Sequence, residues 1–326
     1  MPLDRSNRSR LAQMLERAPY TCGGIALAWA AFGNFLPRPE FDVLRWCCGC
    51  IAVAFLALVF AKMAAFPHSL ASAKGNPVLW AGFATIYMAL MVCSTYLVDI
   101  QPQIALAVWT AALGAHFCHM ADYSITHLPR MTMENLHATI LIVYVGIAIA
   151  AVTAPLHHQE RIGLLVLALA GIGLCIFVPL LVWRYLRRRR VPDRLAPAFC
   201  VLAAPFSLVT AGYICCMDAP DELFIGILGV ICTVFYVVVL SRVPGIIARS
   251  REFSPTLACL SFPFTISARA SRWLSIAFAT LGSPSDACFY QVLFIVQVAI
   301  AFCLICYASV RFAREILKGG HAAKAF

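Results

Sequence analysis

Ten apolar stretches, each about 17 to 26 residues long and separated by short polar segments, run along this chain of 326 residues. A helix that rises 1.5 Å per residue needs about 20 apolar residues to cross the hydrocarbon core of a bilayer. Strands of a membrane barrel would instead alternate polar and apolar residues over about ten positions. The sequence therefore predicts an all-α integral membrane protein. The predicted spans lie near residues 20–36, 43–65, 76–98, 103–121, 137–155, 162–185, 195–217, 222–243, 254–279 and 287–311.

Composition supports this class and excludes an ordinary soluble domain. Hydrophobic residues make up 62% of the chain and charged residues 12%, about half the charged share of a typical soluble protein. We expect one transmembrane domain over residues 1–326, with short tails at 1–18 and 313–326. The net charge is +10, but the basic residues lie between the apolar stretches. The predicted partner is therefore the lipid bilayer and not nucleic acid.

The distribution of basic residues predicts the orientation. Of the 25 lysines and arginines, five lie on one predicted side of the membrane and the remaining 20 on the other. The five are Arg38, Arg45, Arg161, Arg269 and Arg272. Because basic loops stay in the cytoplasm, this asymmetry predicts cytoplasmic N and C termini and an even number of spans. The expected location is the plasma or inner membrane of the cell.

Metal or cofactor binding has little support, and none is predicted. The 15 cysteines lie mostly inside apolar spans, where small thiols pack well without a partner. His116 and His119 lie one turn apart on the fourth span. They suggest one alternative of another class, a haem- or metal-binding membrane protein. A packed histidine pair is the competing interpretation, because no matching pair appears on another span.

Odd- and even-numbered spans differ in character. The even spans are plain apolar runs, whereas the odd spans contain glycine, hydroxyl residues and proline. Their glycines include Gly23, Gly24, Gly82, Gly146 and Gly212. One interpretation is close helix packing through small residues. The other is a ring of five inner helices around an axis, which five outer helices shield from lipid.

Acidic residues avoid the middle of every predicted span, since all 15 fall in loops or at span ends. Cation pathways and proton relays usually place a carboxylate near the membrane midplane, so the pattern favours anions. Pro205 and Pro263, in spans seven and nine, each remove a helix hydrogen bond. Each produces either an ordinary kink or a break whose half-helix N-terminus favours an anion.

Three segments of the chain resemble a known family, namely residues 19–24, 196–207 and 253–265. They are similar to the tellurite-resistance/dicarboxylate transporter family, which includes bacterial tellurite-resistance proteins and plant slow-type anion channels. Length, span number and predicted topology also fit, so the resemblance covers nearly the whole chain. It implies a quasi-fivefold ring of helical hairpins, with the odd helices around a central pore, and usually a homotrimer.

The resemblance also implies roles for individual residues. Phe262, in the Phe-Pro dipeptide of span nine, matches the phenylalanine that plugs the pore in this family. A packing or lipid-facing ring is the alternative. Pro205 and Pro263 are expected to shape the pore, and the five glycines named above are expected to give it clearance.

Two features depart from the family pattern. Span five has no proline within residues 138–151, which leaves the shape of the pore near Gly146 open. Arg269 occupies a position where relatives have small neutral residues. It follows Phe262 by seven residues, close to two helical turns, and therefore shares its face of the helix. We predict either that Arg269 attracts anions in an outer vestibule, or that it snorkels outward together with Arg272.

The predicted function is an anion channel or transporter. Its cargo would be small inorganic anions, C4-dicarboxylates or oxyanions such as tellurite, moving by electrodiffusion. A proton-coupled dicarboxylate symporter, in which the substrate itself carries the proton, is the alternative. Nothing in the sequence resembles a nucleophile elbow, a P-loop or paired catalytic carboxylates, so no enzymatic activity is predicted.

Overall fold

The computed structural model describes residues 10–36, 39–187 and 191–318, and these ranges are helical without β-strands. The all-α prediction is confirmed for this part of the chain. The α-helices, in chain order, are α1 (Arg10–Arg17), α2 (Cys22–Gly33), α3 (Asp42–Ala65), α4 (His68–Lys74), α5 (Pro77–Phe83), α6 (Thr85–Ser94), α7 (Pro102–Thr126), α8 (Ile140–Tyr144), α9 (Ile149–Thr153), α10 (Glu160–Arg187), α11 (Pro205–Cys216), α12 (Glu222–Leu240), α13 (Val243–Arg249), α14 (Phe262–Thr280) and α15 (Pro284–Leu317). Segments of 3-10 helix cover Leu128–Arg130, Gly146–Ala148, Ala154–His157, Asp193–Ala203 and Pro255–Leu260.

The predicted tails are only partly described, because residues 1–9 and 319–326 lie outside these ranges. Within the predicted N-terminal tail, α1 is helical, and α15 extends to Leu317, into the predicted C-terminal tail. Helix α1 contacts both α3 and α15. Lys62, near the end of α3, donates to the carbonyl oxygens of Glu16 and Ala18 at 2.9 and 2.7 Å, so α1 lies at the face of the helix bundle where α3 ends, called the N-terminal face below.

Prolines and capping side chains set where many of these helices begin. Asn76 precedes α5, and its side-chain oxygen accepts hydrogen bonds from the backbone N–H groups of Val78 and Leu79 at 3.0 and 3.2 Å. Helices α5, α7, α11 and α15 each have proline at their first position. Proline lacks an N–H group that the first turn would leave unpaired, so it fits there at little cost.

Among the described residues, seven helical segments are long and apolar enough to cross a membrane by length and composition. They are Asp42–Ala65, Pro77–Ser94, Pro102–Arg130, Glu160–Arg187, Asp193–Cys216, Glu222–Arg249 and Pro284–Leu317. The other three predicted spans fall on the short helix α2, on the interrupted segment 140–157, and on α14, which carries two arginines. The seven helices fit a multi-pass membrane protein, and the count of ten spans stays a prediction.

The helices form two layers that differ in burial. Every residue of α2 is buried, and the apolar windows of α5–α6 and Asp193–Cys216 are 72% and 67% buried. The windows of α3, α7, α10, α12 and α15 are only 28–39% buried. Each inner segment packs against the outer helix that follows it in sequence, giving the pairs α2–α3, α6–α7, α9–α10, α11–α12 and α14–α15. The inner segments also contact one another in cyclic order, from α2 to α6, α9, α11, α14 and back to α2.

Replacing Gly23 by alanine is expected to destabilise the contact between α2 and α6. A Cβ atom at this position would lie 2.7 Å from Cγ1 and 3.0 Å from the backbone nitrogen of Ile86. Overpacking of this kind costs about 1–3 kcal/mol, so the melting temperature in detergent should fall. Gly114→Ala is the matched control, because a Cβ atom there meets nothing within 4 Å. Equal melting temperatures for the two variants would contradict the prediction.

Candidate functional site

A narrow space of about 50 Å³, here called the central cavity, lies between the five inner-layer segments. It is lined by Thr21, Gly24, Gly82, Thr85, Met88, Leu141, Ile142, Val145, Gly146, Val201, Ala204, Pro205, Leu208, Ala258, Cys259, Phe262 and Pro263. Each inner segment contributes at least two of these residues, and none of them is charged. A cavity of this size holds only a few water molecules.

Phe262 is the first residue of α14 and lines the central cavity, with only 6% of its surface exposed. Phe264, two residues later, does not line this cavity. It is fully buried, and its ring centroid lies 5.8 Å from that of Tyr236 on α12. The two phenylalanines around Pro263 therefore differ in role: one ring borders the cavity, and the other fills the space between α12 and α14.

Pro205 and Pro263 both line the central cavity and both lie where a new α-helix begins. Helix α11 starts at Pro205, directly after the 3-10 segment Asp193–Ala203 and Ala204. Helix α14 starts at Phe262, after the 3-10 segment Pro255–Leu260 and Ser261, with Pro263 in its first turn. The prolines therefore mark changes of helix type. The N-termini of two α-helices, which favour negative charge, lie at the cavity.

Span five is interrupted as well, although it has no proline within residues 138–151. Helix α8 ends at Tyr144, and a 3-10 turn covers Gly146–Ala148 before α9 begins. A Cβ atom at Gly146 would lie 2.8 Å from the sulfur of Met88, which also lines the cavity. Glycine at this position thus allows α6 and the interrupted segment to approach closely.

The five glycines of the odd spans fall into two groups. Gly24, Gly82 and Gly146 line the central cavity. Gly23 and Gly212 do not. Gly23 lies against α6, and a Cβ atom at Gly212 would lie 3.0 Å from side-chain atoms of α9 and α10. Close helix packing accounts for the second group.

Thr21 is a further candidate for contact with an anion in the central cavity, and its residue type alone did not predict this. It directly precedes α2 and lines the central cavity, and its buried hydroxyl makes no hydrogen bond with any residue that the structure describes. The hydroxyl of Thr85, on the neighbouring segment, instead donates to the carbonyl oxygen of Gly82 at 2.7 Å. The only sequence signal for Thr21 was its position inside the family-like segment 19–24.

A second cavity, of about 560 Å³, lies toward the N-terminal face and is called the vestibule below. Its lining residues Val78, His137 and Ser254 lie four positions before Gly82, Leu141 and Ala258, which line the central cavity. The wide vestibule and the narrow central cavity therefore follow one another along the same inner segments.

The charged residues that line the vestibule are net positive. Arg194 pairs with Glu252 at 3.0 Å, and Arg249 pairs with Asp193 at 3.7 Å. Arg251 lines the same space without an acidic partner among the described residues. One cation is therefore left in excess within the vestibule, which raises the local concentration of anions.

Arg269 and Arg272 contact the C-terminal end of α2. The Arg269 guanidinium donates to the carbonyl oxygen of Asn34 at 3.0 Å, and Arg272 donates to that of Phe35 at 3.0 Å. Cationic groups at a helix C-terminus stabilise its unpaired carbonyls. The Arg269 guanidinium also lies 5.6 Å from the ring centroid of Trp273. Both arginines thus turn toward α2, and attraction of anions by Arg269 stays a prediction.

His116 and His119 are both buried in the contacts of α7 with its neighbours. Nε2 of His116 lies 3.0 Å from the carbonyl oxygen of Val143. The ring of His119 packs against those of Trp80 and Phe83, at centroid distances of 4.7 and 5.7 Å. This is the environment of packed histidines.

Two C-x-x-C pairs, Cys47/Cys50 and Cys303/Cys306, lie on the outer helices α3 and α15. Cys47, Cys50 and Cys303 are exposed on the bundle surface, and Cys306 is half-buried. Within residues 10–36, 39–187 and 191–318, no three histidine, cysteine or acidic side chains are grouped to hold a metal ion.

Two layers of helices, an uncharged cavity among the inner ones and a net positive vestibule beside it fit a membrane transport protein. The profile of the voltage-dependent anion channel family (SLAC1) matches residues 19–313. The chain belongs to this family, which confirms the resemblance seen in its three segments. The family consists of channels and transporters, not enzymes. No individual curated protein matches the chain.

Proposed function

We propose that this protein is a channel for small anions and that the conducting path runs through the central cavity. The observation that carries the proposal is the lining of this cavity, to which all five inner segments contribute and which contains no charged side chain. The unpartnered Thr21 hydroxyl and the N-termini of α11 and α14 favour an anion there. Electrodiffusion is the expected mechanism, because no carboxylate lines the cavity to couple transport to protons.

The proposed architecture is a ring of five helical hairpins with ten spans. The cyclic contacts among the inner segments and their lower exposure support this arrangement. Inner helices that are shielded from lipid need not be long or uniformly apolar, which accounts for the short α2 and the interrupted span five. In this arrangement Phe262 closes the path, and Pro205 and Pro263 set its width. Cytoplasmic termini and a homotrimer belong to the same proposal, supported by the basic residues and by the family.

Small inorganic anions are the proposed cargo that fits the cavity best. Its volume of about 50 Å³ leaves room for a small ion, while a C4-dicarboxylate requires the Phe262 ring and its neighbours to move. Tellurite and other oxyanions are intermediate in size. The vestibule, at about 560 Å³, admits all of these ions.

The test is current through purified protein in planar bilayers, under a tenfold gradient of potassium chloride. An anion channel gives a reversal potential close to the chloride equilibrium potential. A reversal potential at the potassium value would contradict the proposal. Electrically silent dicarboxylate uptake into liposomes that follows a pH gradient would favour the proton-coupled symporter instead.

Arg269→Ala is expected to lower anion current about tenfold at low ionic strength and much less at high salt, if Arg269 attracts anions by its charge. Arg272→Ala is the matched control, because Arg272 donates to the next carbonyl of the same helix end. Equal losses in the two variants would assign both arginines to capping of α2. Unchanged current and selectivity in Arg269→Ala would show that Arg269 does not attract anions.

A further inference from the structure

Two hydroxyl side chains line the central cavity, and only one of them is hydrogen-bonded within the described part of the chain. Thr85 donates to the carbonyl oxygen of Gly82 at 2.7 Å. Thr21 is 8% exposed, and its hydroxyl is enclosed without a partner among the described residues. Burying a hydroxyl without a partner costs free energy, so such a group in a folded protein calls for a specific explanation. The Thr21 hydroxyl is the donor of the cavity wall that is available to a ligand.

The backbone around Thr21 explains why its hydroxyl has no partner. Several buried hydroxyls of the inner segments donate to the carbonyl oxygen three positions earlier, as Thr85 and Ser261 do. The carbonyl at that distance before Thr21 belongs to Ala18, and it accepts from Nζ of Lys62 at 2.7 Å. The Thr21 side chain does not cap α2 either, because the first N–H groups of this helix bond to backbone carbonyls three positions back. Local structure therefore leaves this donor uncommitted.

Thr21 lies nearer to the vestibule than Phe262 does. A Cβ atom at Gly82 would lie 3.0 Å from the methyl group of Thr21, so these two residues stand at the same level of the central cavity. Gly82 follows the vestibule residue Val78 by four positions, whereas Phe262 follows the vestibule residue Ser254 by eight. Along the proposed path, an ion that enters from the vestibule therefore meets Thr21 before it meets Phe262.

We propose that the Thr21 hydroxyl donates a hydrogen bond to the permeating anion, and that this bond selects chloride over larger anions of lower charge density. The assignment rests on the proposed path through the central cavity. Apart from Thr21, Thr85 and Cys259, the lining residues are apolar or glycine. An apolar passage alone prefers the anion that loses its water most easily, such as thiocyanate. A hydroxyl donor offsets this preference, because a charge-assisted hydrogen bond is strongest to a small ion with concentrated charge.

The first experiment measures reversal potentials in planar bilayers with chloride on one side and thiocyanate on the other. The wild type and Phe262→Ala are the two backgrounds. Thr21→Val keeps the shape of the side chain and removes the donor, so the permeability of chloride relative to thiocyanate should fall about fivefold or more. Thr21→Ser keeps the hydroxyl, and its permeability ratio should stay within about twofold of its background.

Thr210→Val is the matched control. Thr210 lies on the inner helix α11, is fully buried and donates to the carbonyl oxygen of Phe206 at 2.8 Å, but it does not line the central cavity. Its replacement should leave the permeability ratio within about twofold and should lower the melting temperature, because a formed hydrogen bond is lost. Thr21→Val should melt no lower than the wild type, because its hydroxyl has no partner to lose among the residues that the structure describes.

The second experiment measures anion binding without any current. The melting temperature of the purified proteins is followed in detergent while sodium chloride replaces sodium gluconate at constant ionic strength. An anion that binds the folded state raises the melting temperature saturably. The wild type and Thr210→Val should show this rise, and Thr21→Val should lose most of it.

Where anion current is present, the permeability ratio decides. An unchanged ratio in Thr21→Val, or an equal fall in Thr210→Val, overturns the role of Thr21 while the proposed function stands. If neither the wild type nor Phe262→Ala conducts anions, the proposed function fails, and the melting experiment decides instead. A chloride-dependent rise that Thr21→Val lacks then supports an anion site at Thr21, and any other result overturns it.

Discussion

Replacing Phe262 by alanine is expected to raise the anion current about ten- to a hundredfold. The ring is buried and borders the central cavity between the inner segments. In the proposed path the ring must leave this position before an ion passes. That movement costs about 1.5–3 kcal/mol for a buried phenylalanine, and each 1.4 kcal/mol is a factor of ten. Alanine removes both the cost and the apolar barrier to a hydrated ion.

Phe289→Ala is the control for this prediction. Phe289 lies on the outer helix α15 and is 54% exposed, so its loss removes the same ring from the surface of the bundle. Current through single channels in bilayers is the measurement, after size-exclusion chromatography has shown equal folding. Unchanged current in Phe262→Ala, or an equal rise in Phe289→Ala, would show that Phe262 does not act as the gate.

A carboxylate placed in the central cavity is expected to abolish anion current. Leu208 lines the cavity on α11 and is 2% exposed. At an effective dielectric constant of about 20, a carboxylate about 5 Å from an anion repels it by about 3 kcal/mol, equivalent to a loss of roughly a hundredfold. We expect Leu208→Glu, in the Phe262→Ala background, to show this loss and to shift the reversal potential toward cations.

Leu208→Gln, in the same background, is the matched control because it has nearly the same size without the charge. The difference between the two variants should shrink at low pH, where the glutamate is protonated. Equal currents in the two variants at neutral pH would show that ions do not pass Leu208, and would contradict the proposed path independently of the Phe262 test.

Sequence periodicity and composition predicted the layers of this protein better than they predicted its contacts. Apolar length identified all five outer helices and two of the inner segments. The outer helices meet this criterion because a helix in contact with lipid must be apolar along its whole exposed surface. Helix α2, the segment 140–157 and α14 do not meet this criterion of apolar length. These inner elements contact other helices and a cavity, so short length, interruptions and arginines are tolerated there.

The sequence by itself determined the membrane class and the family, and it placed Pro205 and Pro263 in the spans where α11 and α14 begin. For the alternation of odd and even spans it left two interpretations, close packing or a ring of inner helices. Only the tertiary structure decided which side of each inner segment faces the cavity. It separated Gly24 from Gly23, identified Thr21, and showed that Arg269 donates to a carbonyl 235 positions away in the chain. The physical reason is that helical periodicity depends on neighbours within one or two turns, whereas the environment of a side chain depends on segments that meet only after folding.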